Sequence, residues 1–248
     1  MNHRLRIAAA GAAAFLIVLI ARFPARWAAR ALPRGTACLQ LGGTLWSGTC
    51  TGLLAAGAPL GDLTWTTHPL QLLIGRLSVS VALALPNGTV SSRVELRPSG
   101  AITAENLRAT VPLSHALIAQ LPPDTQGLLQ IDLASLHWNG KRITAIQGDF
   151  SVRGLAVRGE LLGNYRVSFP VESGISGGSA DEPIGRLEDL GGPLSVQGTL
   201  RLTPAPGFVL DTLVAPRANA PRDIVQDLRL LGSPDAQGRR PFTTEVML

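Results

Sequence analysis

Residues 77–97 read LSVSVALALPNGTVSSRVELR. Val79, Val81, Leu83 and Leu85 alternate with Ser78, Ser80, Ala82 and Ala84. After Pro86-Asn87-Gly88-Thr89, Val90, Ser92, Val94 and Leu96 alternate with Ser91, Arg93, Glu95 and Arg97. A period of two is the signature of a strand with one buried face. Asn-Gly between two such runs is the strongest short hairpin signal. A two-residue turn at Asn87-Gly88 sets Leu85 opposite Val90, Leu83 opposite Ser92, Val81 opposite Val94 and Val79 opposite Leu96. One face is then apolar and the other small, polar or charged. A helical period would scatter the same residues around a cylinder, so this stretch decides for β.

The pattern extends outward. Gly-Thr-apolar steps recur at 43–45, 88–90 and 198–200. Asn139-Gly140 predicts a second hairpin, with Leu136 opposite Ile143 and Ala134 opposite Ala145. The alternation Leu129, Ile131, Leu133 changes phase to Leu136 and Trp138, which predicts a bulge near Ala134-Ser135. Short strands are expected at 155–157, 165–169, 194–202 and 207–214, and a last one through Phe242, Thr244, Val246 and Leu248. Pro112–Gln120 is the best helical stretch of the body, and Asp223–Leu231 is a second candidate. Residues 172–193 are rich in glycine and acid with low β propensity, and read as a mobile loop and the best internal boundary.

Upstream lies Ile7–Ala21, fifteen residues without a charge. As a helix it covers about 22 Å of a ~30 Å hydrocarbon layer. Arg4 and Arg6 precede it, and Arg22, Arg26, Arg30 and Arg34 follow at four-residue spacing. Phe23 and Trp27 are aromatics of the kind found at a membrane interface. The reading is an uncleaved transmembrane anchor at 7–21, behind a short cytoplasmic N-terminus at 1–6. A basic amphipathic segment follows at 22–34, with its arginines on lipid head groups, and residues 35–248 form a β-rich body outside the cytoplasm. A cleaved signal peptide and a soluble core helix are the alternatives. No good small-x-small cleavage site follows the apolar run.

Charge narrows the function. The first 34 residues hold six arginines and no acid, and the other 214 hold 16 basic and 17 acidic residues. The net charge of +5 comes from the membrane-flanking segment. A nucleic-acid binder would need a basic face on its folded body, and no nucleic-acid partner is implied. Anionic lipid suits the basic segment better. The cysteines, Cys38 and Cys50, are twelve apart with Gly42 and Gly43 near their midpoint. In an oxidising compartment a hairpin could set them opposite each other as a disulfide; two buried thiols are the alternative.

Nothing in the chain reads as a catalytic constellation. HExxH and CxxC are both missing from the sequence. Among the histidines, His68 precedes a proline and His137 should point outward from its hairpin opposite Arg142. No catalytic residue, cofactor site or metal site is expected.

GTLWSG at Gly43–Gly48, followed by LGDLTWTTHPLQLLIGRL at Leu60–Leu77, carries a resemblance. With FPARW upstream and LLQIDLASLHWNG and ITAIQGDFSVRG downstream, it is similar to the type II secretion system protein N family. The resemblance is specific mainly at 43–77, through Gly43, Trp46, Gly48, Gly61, Trp65, Pro69, Gly75 and Arg76. It implies an accessory inner-membrane component of the Gram-negative machine that exports folded proteins from the periplasm. Other secretion subunits are its implied partners, and no catalytic residue carries over. The physical reading of those motif residues is structural. Glycines allow close backbone approach, tryptophans supply buried area, and HPLQLLIGRL packs a short apolar turn over the sheet edge. The expected fold is mainly β: one N-terminal transmembrane helix, then an elongated, curved antiparallel sheet, a meander of hairpins with one or two short helices. A membrane-anchored lipid-binding or lipid-bridging sheet is the alternative function, suited by the aliphatic apolar face.

Overall fold

The computed structural model describes residues 11, 15, 18–27, 35–55, 57–113, 122, 124–170, 182–203 and 207–247. Among these, thirteen strands follow one another along the chain, and within each of two units every strand is antiparallel to its neighbours. The chain divides into two compact units, Met1–Pro86 and Asn87–Leu248. This division falls at Pro86/Asn87, away from 172–193.

The first unit contains β1 (Thr36–Gly43), β2 (Ser47–Ala55), β3 (Ala58–His68) and β4 (Leu77–Leu85), with a 3-10 turn at Pro69–Ile74. Alternation along β3 and β4 sends Leu63, Trp65, Thr67, Val79 and Val81 to one face. Upstream, residues 11, 15 and 18–21 are helical, and the rest of Ile7–Ala21 lies outside the described residues. Among the described residues no helix is long and apolar enough to cross a membrane. The amphipathic helix expected over 22–34 is interrupted at its start. Phe23 leaves the helix, Pro24 forms a β-bridge with Thr44, and Ala25–Trp27 make a 3-10 turn. Proline lacks the N–H that would have carried the helix on. Phe23 and Trp27 still pack ring against ring, with centroids 5.8 Å apart. Residues 28–34, with Arg30 and Arg34, lie outside the described residues.

The second unit contains β5 (Gly88–Leu96), β6 (Ile102–Pro112), β7 (Gln126–Trp138), β8 (Ile143–Val157) and β9 (Glu160–Phe169). It continues with β10 (Ile184–Asp189), β11 (Leu194–Leu202), β12 (Gly207–Pro216), α1 (Arg222–Leu228) and β13 (Arg240–Met247). Its core has two parts. Leu133, Ile146 and Phe169 form one, with Phe150 edge-on to Phe169 at 5.9 Å. Leu187, Leu194, Val196 and Val214 form the other, covered by Ile224 and Leu228 of α1. Those two are four apart and so share a helix face.

Both Asn-Gly turns differ from expectation. β4 ends at Leu85 and β5 begins at Gly88, so Pro86 and Asn87 make the first turn. Neither Asn87 nor Gly88 takes the left-handed φ that a type I′ turn needs. Proline's fixed φ suits the first central position of a turn, and it moves the turn back by one residue. At the second hairpin Trp138 pairs with Ile143, His137 with Ala145 and Leu136 with Ile146. The loop is four residues, because the Asn139 side-chain oxygen accepts from the amides of Lys141 and Arg142, both at 3.0 Å. The bulge between Leu133 and Ser135 is where the phase change predicts it. His137, expected opposite Arg142, instead bonds Thr103 Oγ1 through Nδ1 at 3.2 Å.

The candidates at 155–157 and 165–169 belong to two longer strands, joined at Arg158-Gly159 with φ of 54° and 80°. The loop expected at 172–193 holds β10 at Ile184–Asp189, while 171–181 lie outside the described residues. The helix expected at Pro112–Gln120 lies outside them from 114 onward; Pro112 itself closes β6.

Candidate functional site

The GTLWSG loop joins β1 to β2. Gly43 has φ +89°, and a Cβ there would lie 2.4 Å from the Ser47 carbonyl oxygen. Thr44 Oγ1 accepts from the amides of Trp46 and Ser47, both at 3.2 Å. This side-chain-locked turn presents Leu45 and Trp46 to the upstream segment. Leu45 N–H donates to Phe23 O at 2.8 Å. The Trp46 indole N–H donates to Ile20 O at 2.7 Å. That carbonyl, in the last turn of the helix, also accepts from Phe23 N–H at 3.2 Å. Ala25, between these contacts, is only 2% exposed. The loop is thus a clasp on the end of the N-terminal helix.

The second half of the motif holds the clasp from below. Trp65 pairs with Gly48 across β2 and β3, and its ring occupies the space a Gly48 side chain would need, 2.3 Å from an ideal Cβ. Trp65 Nε1 donates to Leu45 O at 3.3 Å, and Thr67 Oγ1 donates to the same oxygen at 3.1 Å. Thr67 N–H donates to Trp46 O at 2.6 Å. Pro69 then opens the 3-10 turn, and Gly75, with φ 72°, closes it in the left-handed conformation. Two apolar residues of the turn are not packed over the sheet edge: Leu70 is 78% and Ile74 69% exposed. Thr44, Leu45 and Thr67 are participants that sequence reasoning passed over, because their partners lie up to 22 positions away. Trp46→Phe keeps an aromatic side chain of smaller size and removes the indole hydrogen bond to Ile20 O. It should lower the unfolding free energy by about 1 kcal/mol, read from denaturant unfolding of the full chain.

Cys38 and Cys50 are joined by a disulfide, with Cα atoms 5.8 Å apart. They do not face each other directly: Cys38 pairs with Leu53, and Cys50 with Leu41. Gly52 takes φ +68° and shifts the β2–β3 register. Its amide donates to Asp62 Oδ1 at 2.9 Å. Asp62 is the one acid of residues 1–86. Above Cys50 opens a cavity of about 440 Å³, lined by Leu41, Leu45, Trp46, Leu53, Leu63, Trp65, Leu72, Leu77, Val79 and Val81, with Thr67.

The second unit has its own apolar cavity of about 410 Å³, lined among others by Phe150, Tyr165, Val167, Leu187, Leu210 and Phe242. Beside it Asp189 ion-pairs with Arg217 and accepts from Val196 N–H at 3.1 Å and Gly191 N–H at 3.3 Å. Burial opposes ionisation of Asp189, but Arg217 and these amides outweigh it and hold the carboxyl below its ordinary value. Burial, then the Asp189 charge, pushes the Tyr165 phenol up to about 12, against the pull of Arg217. The two signs are opposite. A depressed carboxylate contributes stability above its unfolded value and loses it as pH falls through the folded one. A raised phenol contributes below 10.0 and loses it as pH rises towards about 12. Asp189→Ala should cost about 2 kcal/mol at neutral pH, the exposed face of Arg217 screening part of the pair. Unfolding midpoints of the variant and parent should converge in acid.

Among the described residues no group of three His, Cys, Asp or Glu side chains could hold a metal ion. His68 Nε2 is 3.1 Å from Ser80 Oγ, a cross-sheet bond.

A family model described as "Type II secretion system (T2SS), protein N" matches residues 35–243. The chain belongs to the type II secretion system protein N family. Two curated relatives carry the name type II secretion system protein N. The one from Vibrio cholerae serotype O1 is 24% identical over 231 residues, covering 88% of this chain and 87% of its own. The one from Aeromonas hydrophila is 26% identical over 265 residues, covering 98% of both. No solved structure matches. The matched stretch takes in the clasp, the disulfide and every strand from β1 to β12 of this family member.

Proposed function

We propose that this family member is a non-enzymatic, inner-membrane-anchored component of the type II secretion system. Its β-rich body lies in the periplasm and contributes protein–protein contacts to the export of folded proteins across the outer membrane. The observation that carries this reading is the family match over residues 35–243. The clasp supports the mechanical part. A first unit hydrogen-bonded to the end of its anchoring helix is held at a set height, and tethering raises the effective concentration of the body against other subunits there. Arg22, Arg26, Arg30 and Arg34 would meet anionic head groups at that surface. The Cys38–Cys50 bridge fits an oxidising compartment. Deleting the gene should leave secretion substrates folded in the periplasm. Unchanged export would overturn the reading.

The two apolar cavities favour a second reading, a membrane-anchored periplasmic lipid-binding or lipid-bridging protein. Their linings are almost wholly aliphatic and aromatic, as an acyl chain requires. Phospholipid co-purifying with the body in the absence of detergent would support it, and a lipid-free body would count against it.

A further inference from the structure

We propose that the Pro69–Ile74 turn is a second membrane contact, which inserts Leu70 and Ile74 into the surface of an anionic bilayer. The inference rests on the reading of the N-terminal helix as the anchor. Three observations carry it. First, Leu70 and Ile74 stand 78% and 69% exposed at adjacent ends of one short turn. Pro69 fixes one end of that turn and Gly75 the other, where Arg76 N–H returns to Gln71 O at 3.0 Å. A rigid turn offering two bare aliphatic side chains loses little entropy on insertion, and exposed large apolar groups clustered in this way mark a contact surface.

Second, the turn is tied to the helix end. Thr67, two residues before Pro69, donates its amide to Trp46 O, and the Trp46 indole bonds Ile20 O. One continuous set of hydrogen bonds therefore sets the height of the turn relative to the point where the helix stops. Trp27, 48% exposed, lies at that same helix end, on a segment bridged to Thr44 through Pro24. Indole at an interface is the expected companion of shallow aliphatic insertion.

Third, the charge selects the occupant. On the body's side of the anchor, residues 22–86 carry five arginines and one acid, against 15 basic and 16 acidic residues in 87–248. The single acid, Asp62, is spent on the Gly52 amide. Arg76 follows the turn directly, and no acid occurs between Asp62 and Glu95. An anionic lipid surface complements this unit.

The test places a reporter at the turn. Leu70→Trp and, as a control on the second unit, Leu161→Trp are made in the full chain. Both are reconstituted into vesicles of phosphatidylethanolamine and phosphatidylglycerol, with and without bromine on the acyl chains. The proposal expects the added emission at position 70 to be blue-shifted, quenched several-fold by brominated lipid and insensitive to aqueous iodide, while that at 161 behaves oppositely. Iodide quenching at 70 in protein that floats with the vesicles overturns the contact and leaves the anchor reading intact. Protein that does not float overturns both. A position 70 shielded from iodide yet untouched by brominated lipid identifies a protein occupant and also overturns the proposal. Leu70→Asp with Ile74→Asp should still float and should lose protection of the turn from protease.

Discussion

Gly61→Val should destabilise the first unit by about 3–5 kcal/mol, the sum of backbone strain and overpacking. Gly61 holds φ +118°, which a β-branched residue does not tolerate. An ideal Cβ there would also lie 2.0 Å from Ala84 O, a backbone atom of β4 that cannot rotate away. The loss falls next to the bulge at which Asp62 holds Gly52, so it should propagate to the Cys50 side of the cavity. Denaturant unfolding of the full chain reads the effect. Tryptophan fluorescence reports it locally, because Trp46 and Trp65 both line that cavity. A variant as stable as the parent would mean that β3 and β4 do not meet in this register.

Removing the disulfide is the second large effect. Cys38→Ala with Cys50→Ala opens a loop of twelve residues, worth about 3 kcal/mol on the chain-entropy estimate. The loop it closes contains the whole clasp. The double variant should therefore unfold earlier and expose the GTLWSG loop to protease first. Protein recovered oxidised and denatured without reductant should present no free thiol. Two titratable thiols, or a midpoint unmoved by reductant, would contradict the bridge.

The strands were legible because period two survives even where packing is shallow. Leu77–Leu85 and Leu194–Leu202 needed no tertiary information. Turn chemistry was less so. Asn-Gly advertises a two-residue turn, yet Pro86 took one turn and the Asn139 side chain lengthened the other. Each moves a turn by local competition that pattern alone does not rank, and at the second hairpin the register moves with it. Arg158-Gly159 carried no signal, since arginine rarely takes positive φ. Ile184–Asp189 looked like loop because Gly185, Arg186 and Asp189 have low β propensity. It is a strand because β9 and β11 pair with it on both sides, and such pairing overrides propensity. The motif glycines and tryptophans were readable as structural residues. What they grip was not: the bond from Trp46 to Ile20 spans 26 positions. The exposure of Leu70 and Ile74 was likewise invisible, because an apolar run reads as buried until its neighbours are placed.

The most direct test of the account is what accompanies the full chain out of the cell. Tagged at its C-terminus, expressed from its native locus and solubilised in mild detergent, it should co-purify with other type II secretion subunits, and crosslinking before solubilisation should increase their yield. Recovery of the chain with phospholipid alone, free of every secretion subunit, would contradict it.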